Sequence, residues 1–300
     1  MHRMLGLTLL AGLLALPRVG HAQVAPDLTR IEVHSPAYNA AGRQVRDDVQ
    51  RYDAEGGLTG TLRSSWIYDR AGRLQSSETI TMDADGTPTH AWSTTWDYAV
   101  EGALKVAHRT RTDGDGRVIE QERERWTRDP AMPAMTTVET RVTDGDGALV
   151  RLRYQVIEDG PDGQLVGRDV SVFDAGEVQI FRNLERWFRA AGRVSVVERW
   201  TFDAKDEPTT HEVADWSYDE KGRLASVDNG IFDGEEVLTG FTHEVRRLHP
   251  RTGRQIGRTL TWTDADDLPL RRMTEELTHD DAGRIQARRV RWERWESESE

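Results

Sequence analysis

Cysteine is absent from this 300-residue chain, and lysine is nearly so: only Lys105, Lys205 and Lys221 stand among 40 basic residues. Without cysteine there is no disulfide framework and no thiolate-bound metal. Stability must come from backbone pairing and side-chain packing. Arginine in place of lysine favours planar, bidentate pairing with carboxylates and stacking on aromatic rings. A basic stripe is missing too. Net charge is −12, which speaks against nucleic acid and anionic lipid as partners. Long apolar runs are confined to Met4–Leu16, a run of 13 residues too short to span a bilayer. With Arg3 before it, and Pro17 and Gly20-His21-Ala22 after it, that run reads as a signal peptide over residues 1–22. No cysteine follows to anchor a lipid. The expected location is therefore periplasmic or secreted, and cleavage would leave 38 basic against 52 acidic residues.

Helical periodicity is also missing; a different ruler runs through the chain. Trp66, Trp96 and Trp126 stand 30 residues apart, and the beat returns at Trp187 and Trp216 and again at Trp262 and Trp292. Such self-similarity has to be read before any local propensity. Just past these tryptophans come turn cassettes: Tyr68-Asp69-Arg70-Ala71-Gly72-Arg73, Phe188-Arg189-Ala190-Ala191-Gly192-Arg193 and Tyr218-Asp219-Glu220-Lys221-Gly222-Arg223. Between them lies a second, Asp-rich set, such as Asp83-Ala84-Asp85-Gly86 and Asp113-Gly114-Asp115-Gly116. Asp-x-x-Gly suits a type I turn closed by a left-handed glycine that leads into a bulge.

Glycines at 42, 57, 72, 86, 102 and 116 and at 147, 163, 176 and 192 divide the chain into units of about 15 residues. Each unit holds one strand of about ten residues and one tight turn, so neighbours must pair antiparallel. The expectation is an all-β, antiparallel meander of about 16–18 strands, twisted or coiled into a curved sheet or β-spiral. Its parts are a signal peptide (1–22), an N-terminal lead-in (23–37), the repeat domain (38–295) and an acidic tail (296–300). The recurring tryptophans, each shared with its turn, read first as the sheet's own cross-strand packing. Residues 128–137 and 225–250 lose the beat. The latter include Asn229-Gly230 and Asp233-Gly234, which read as turn signals in a degraded unit.

The alternation of Tyr-Asp-x-x-Gly-Arg-Leu with Asp-x-Asp-Gly resembles the YD repeats of RHS-type bacterial proteins. The best copies lie at 68–74, 188–194, 218–224 and 279–285, the last built on Asp280 and Gly283. The resemblance implies a secreted or envelope-associated β-rich repeat protein, whose larger relatives coil hairpins into shells around toxic cargo. This chain shows neither a self-cleaving core segment nor a toxin domain, and it is too short for such a shell.

No catalytic constellation emerges. Asp113-Gly-Asp115-Gly and Asp144-Gly-Asp146-Gly begin like calcium loops, but position 5 is Arg117 or Ala148, and position 6 is Val118 or Leu149 instead of glycine. The histidines lack zinc spacing, and no nucleophile elbow, phosphate loop or dinucleotide fingerprint is present. Neither cofactor nor metal is expected. An outer-membrane barrel fits the length, but along Val118–Trp126 both strand faces carry charge, which the lipid midplane penalises. The expected role is a non-catalytic scaffold that binds a protein or glycan in the periplasm or outside the cell. An accessory related to polymorphic-toxin shells and a hydrolase on a β scaffold are the alternatives.

Overall fold

A computed structural model describes residues 27–99, 103–128 and 131–295. The expected signal peptide and acidic tail lie outside the described residues. The strands follow the 15-residue beat. They are β1 (Asp27–Tyr38), β2 (Gln44–Tyr52), β3 (Leu58–Tyr68), β4 (Leu74–Met82), β5 (Pro88–Tyr98), β6 (Leu104–Asp113), β7 (Val118–Arg128), β8 (Met135–Asp144) and β9 (Leu149–Asp159). The second half adds β10 (Leu165–Asp174), β11 (Gln179–Ala190), β12 (Arg193–Phe202), β13 (Pro208–Tyr218), β14 (Leu224–Asp233), β15 (Leu238–Leu248), β16 (Gln255–Asp264), β17 (Pro269–His279) and β18 (Ile285–Arg294). Each pairs antiparallel with its sequence neighbours, and β18 pairs antiparallel with β1, from Asp27↔Arg294 to His34↔Arg288. The expected curved sheet is therefore closed into an 18-stranded barrel. Closure satisfies the backbone groups that both edge strands of an open sheet would expose. At this strand number the wall encloses a water-filled lumen instead of a packed core. Among the described residues, strands approach only their ladder neighbours, never one across the barrel.

The two cassettes occupy opposite rims. The clearest Tyr-Asp turns, at Tyr68-Asp69 and Tyr218-Asp219, run from odd to even strands, and the Asp-rich turns run from even to odd strands, although Tyr52-Asp53 lies on this second rim as well. In both, the first Asp accepts backbone amides: Asp83 Oδ1 takes N–H groups from Asp85 (3.0 Å) and Thr87 (2.9 Å). A glycine then takes positive φ, as at Gly72 (83°) and Gly86 (82°), and the flanking ladder shifts register by one residue. The calcium-like loops work the same way, with Asp113 and Asp144 each holding two turn amides. One reversal is tighter. Ala191 (51°) and Gly192 (77°) are both left-handed, which makes a two-residue hairpin turn.

Facing pairs along each ladder define two surfaces. The more crowded one carries Val49, Ser64, Thr94, Val138, Thr140, Val142, Glu185, Met273, Glu275 and Val290, all buried. It is the inner face, because side chains converge on the concave side of a closed wall and splay on the convex side. Exposed large apolar residues such as Ile67, Ile119, Val150 and Phe188 belong to the outer face.

The sequence reading needs correction at three points. Residues 225–250 are not degraded: they form β14, a turn at Asp233–Val237 and β15, with full ladders on both sides. Asn229-Gly230 lies within β14, and the left-handed turn position falls to Glu236 (62°). At 128–137 the chain lengthens its reversal without losing register, so Trp126 still faces Val138. Trp200, on β12, points outward and stacks on His211 with ring centroids 4.5 Å apart.

Candidate functional site

The Tyr-Asp rim is a chain of interlocked turns. Asp69 accepts the Arg73 amide (2.8 Å) and the Arg73 Nε–H (2.7 Å), and Asp219 and Asp280 do the same for Arg223 and Arg284. Backbone and guanidinium donors from Arg73 hold the Asp69 carboxyl below the usual aspartate range. The Arg223 side chain leads the same effect at Asp219, and the Arg284 amide leads it at Asp280. The arginine that closes a turn on this rim can also serve the next repeat, with or without an aspartate latch. Arg43 lies over the Tyr68 ring (5.7 Å) and Arg73 over Tyr98 (4.6 Å), and Arg193 lies over Tyr218 (5.5 Å). The tyrosine hydroxyls donate backward to main-chain carbonyls: Tyr68 to Gln44 (2.9 Å), Tyr98 to Leu74 (2.8 Å) and Tyr218 to Val194 (2.7 Å). Gly72, Gly222 and Gly283 are glycine for a second reason: a Cβ would collide with the guanidinium of Arg43, Arg193 or Arg254. Arg284 of the last repeat lies over Tyr38 of the first at 5.5 Å, so closure reuses the repeat contact.

The tryptophan belt lies inside. Trp66, Trp96, Trp126, Trp187 and Trp216 sit on odd strands near the Tyr-Asp rim, opposite Ser77, Ala107, Val138, Val197 and Val227 respectively. Three of these indoles face a smaller side chain that is buried, with Ala107 6 %, Val138 2 % and Val197 8 % exposed, as lateral roofing by the rings would leave them, while Ser77 and Val227 are half-buried. In a wall with no opposing layer, this lateral roofing takes the place of a packed core. Trp262 and Trp292 break phase. They fall on even strands, β16 and β18, near the opposite rim.

Below the belt runs an inner girdle of alternating charge. Arg168 and Arg199 clasp Glu185 (2.7 and 2.8 Å), and Arg199 continues to Glu212 (3.1 Å). Arg258 joins Glu244 (3.2 Å) to Glu275 (3.0 Å), which also meets Arg288. Arg109 meets Glu122 (3.2 Å), and Arg153 meets Glu124 (2.9 Å). Burial pushes Glu185 up, but its two arginines outweigh that and keep it below the usual glutamate range. With both arginines present, Glu185 stays ionised and serves the wall.

One cavity of about 1300 Å³ opens at the Asp-rich rim, between β16, β17, β18 and β1. Trp262 and Trp292 stack on each other along its wall, with centroids 6.0 Å apart and planes 24° apart. Arg271 lies 4.0 Å over Trp262, and Arg30 lies 5.4 Å over Trp292. Sequence reasoning named both tryptophans as repeat positions but missed the arginines. Arg30 lies in the segment read as lead-in, which the structure makes into β1. The available signal was the 46-residue step from Trp216 to Trp262, three units instead of two, which transfers the ring to strands of opposite direction.

These features define a closed up-and-down antiparallel β-barrel with charged and aromatic groups on its inner wall. No family model matches the chain, and no curated protein matches it. Among solved structures, a porin-like protein from Bacteroides uniformis is similar at 11% identity, over 88% of this chain and 95% of that one, with TM-score 0.38. A porin-like protein from Bacteroides vulgatus gives 5% identity over 91% and 99%, with TM-score 0.33. A TcdB2–TccC3 structure gives 13% identity over 84% of this chain and 18% of that one, with TM-score 0.17.

Proposed function

We propose that the chain is a non-catalytic binding scaffold of the periplasm or extracellular space, which takes a glycan through the tryptophans of its inner wall. The observation that carries this reading is the belt itself. The indoles Trp66, Trp92, Trp96, Trp126, Trp187, Trp216, Trp262 and Trp292 all share the inner face, beside a water-filled lumen. Sugars present C–H faces that stack on indole, and the interleaved arginines and glutamates supply hydrogen-bonding edges. Lack of membrane insertion is supported by the outer wall. Arg63 with Asp48, Arg141 with Glu139, and Arg182 with Asp169 sit in mid-strand facing outward. An arginine at a lipid midplane costs about 2–4 kcal/mol. The girdle carboxylates are each held by arginines, which speaks against a free general acid and base. The cassette latch keeps the likeness to YD repeats alive as a matter of turn chemistry, and a closed barrel suits ligand binding better than cargo encapsulation.

Glycan panels and envelope extracts probed with the immobilised chain test the reading. A retained glycan whose binding falls in the inner-wall variant Trp92→Ala, and not in the outer-wall variant Trp200→Ala, is the expected result. Turnover of a substrate with no retained partner would sink it.

A further inference from the structure

We infer that the cavity framed by Trp262 and Trp292 is a subsite for the anionic groups of a carboxylated or sulfated glycan, an inference that rests on the glycan-binding reading above. Three guanidiniums converge here from adjacent strands. Arg271 on β17 stands directly opposite Arg294 on β18, and Arg30 on β1 stands opposite Trp292. Like charges facing each other across a ladder are unfavourable unless neutralised. Elsewhere this barrel neutralises them. Arg246 faces Arg258, yet Glu244 binds both, at 2.7 and 3.2 Å. Arg123 faces Arg141, and Glu139 takes Arg141 at 2.6 Å.

At Arg271 and Arg294 no such carboxylate is present among the described residues. Arg30 shares Glu32 (3.5 Å) with Arg51 (3.2 Å). Glu293, the one carboxylate of the lining among the described residues, is on the outer-facing register beside Arg272 (3.9 Å). The cavity therefore carries surplus positive charge in a chain of net charge −12, on a rim otherwise set with aspartates.

The aromatic frame fixes how that charge is presented. Stacking Arg271 on Trp262 and Arg30 on Trp292 holds each guanidinium by its face, so that its N–H groups donate from the edge, with the Arg30 Nε turned toward Glu32. Planar carboxylates and sulfates accept such edges in a bidentate manner. A volume of about 1300 Å³ exceeds what a single oxyanion fills, and it suits linked sugar units beside the indole pair.

The test is calorimetric titration of the chain with oligogalacturonate, a sulfated dextran oligomer, neutral malto-oligosaccharide and sodium sulfate. Binding of an acidic oligosaccharide, weakened about tenfold or more in Arg271→Gln/Arg294→Gln and by added salt, is expected. Thermal unfolding supplies the folding control. Removing the facing guanidiniums should leave the melting temperature unchanged or raise it. Equal binding of acidic and neutral sugars, insensitive to the double variant, would overturn the charge assignment and leave the glycan reading standing. Sulfate binding as tightly as any oligosaccharide would reduce the site to a free-anion site and overturn the inference. Failure of every sugar, acidic or neutral, would overturn both.

Discussion

Arg193 shows how much one side chain carries in this barrel. Its guanidinium lies over the Tyr218 ring and closes the space beside Gly222, tying one turn to the next. Gly86, on the other rim, has the same backbone twist, with φ 82° against 75° at Gly222, but nothing lies within 4 Å of where its Cβ would be. Alanine at either position pays about 1 kcal/mol for left-handed backbone. Only Gly222→Ala must also expel Arg193 from Tyr218, which adds about 0.5–1 kcal/mol. Gly222→Ala should thus lower the denaturation midpoint more than Gly86→Ala. Equal losses would show that the stacked arginine contributes nothing to stability. At this scale the sequence was largely readable, since Asp69, Gly72 and Tyr68 were legible as turn residues from their spacing. That Arg73 serves two turns at once was not, because its second partner, Tyr98, belongs to the next repeat.

Among the elements, the hairpin turns and the roofed strand pairs divide the stability between them. Asp69, Asp203, Asp219 and Asp280 all titrate below the ordinary aspartate range because turn amides and arginines favour the carboxylate. A carboxyl with a lowered native pKa adds stability above its unfolded value and loses it as pH falls through the native value. The melting temperature should therefore hold from neutrality to about pH 4 and decline below it. Arg73→Gln should flatten that decline, and a pH-independent melting temperature would remove the latch from the stability account. In the wall, Trp126→Ala uncovers Val138 and should cost roughly 3 kcal/mol by chemical denaturation, toward the lower end for an indole because the ring is only half-buried. The sequence revealed the strands because each hairpin is encoded locally by a turn and an alternating segment. It hid which face was inner. On β12 the apolar positions Val196 and Trp200 point outward, and alternation alone does not distinguish concave from convex.

For the whole molecule, the deciding property is parity. An up-and-down chain closes antiparallel only with an even number of strands, and here β18 meets β1 in that sense. Closure was illegible in the sequence because its residues are separated by almost the full chain, as with Asp27 and Arg294. The one local trace was Tyr38, a cassette tyrosine with no earlier arginine to cover it. Deleting residues 69–98 removes β4 and β5 in phase, so Tyr68 takes the place of Tyr98 before the turn at 99–103. That variant should remain a monodisperse, cooperatively unfolding barrel by light scattering and calorimetry. Deleting 69–83 removes one strand, leaves an odd count and should produce open edges and aggregation. Identical behaviour of the two deletions would mean that the wall does not depend on its seam.

The contact of Arg284 with Tyr38 has a broader meaning. A polypeptide has two termini, yet this architecture treats the junction between them as one more join among equivalent joins. Where translation starts is then a historical accident and not a structural requirement. Joining the end of β18 to the start of β1 and opening the loop at another reversal would give a circular permutant with the same wall.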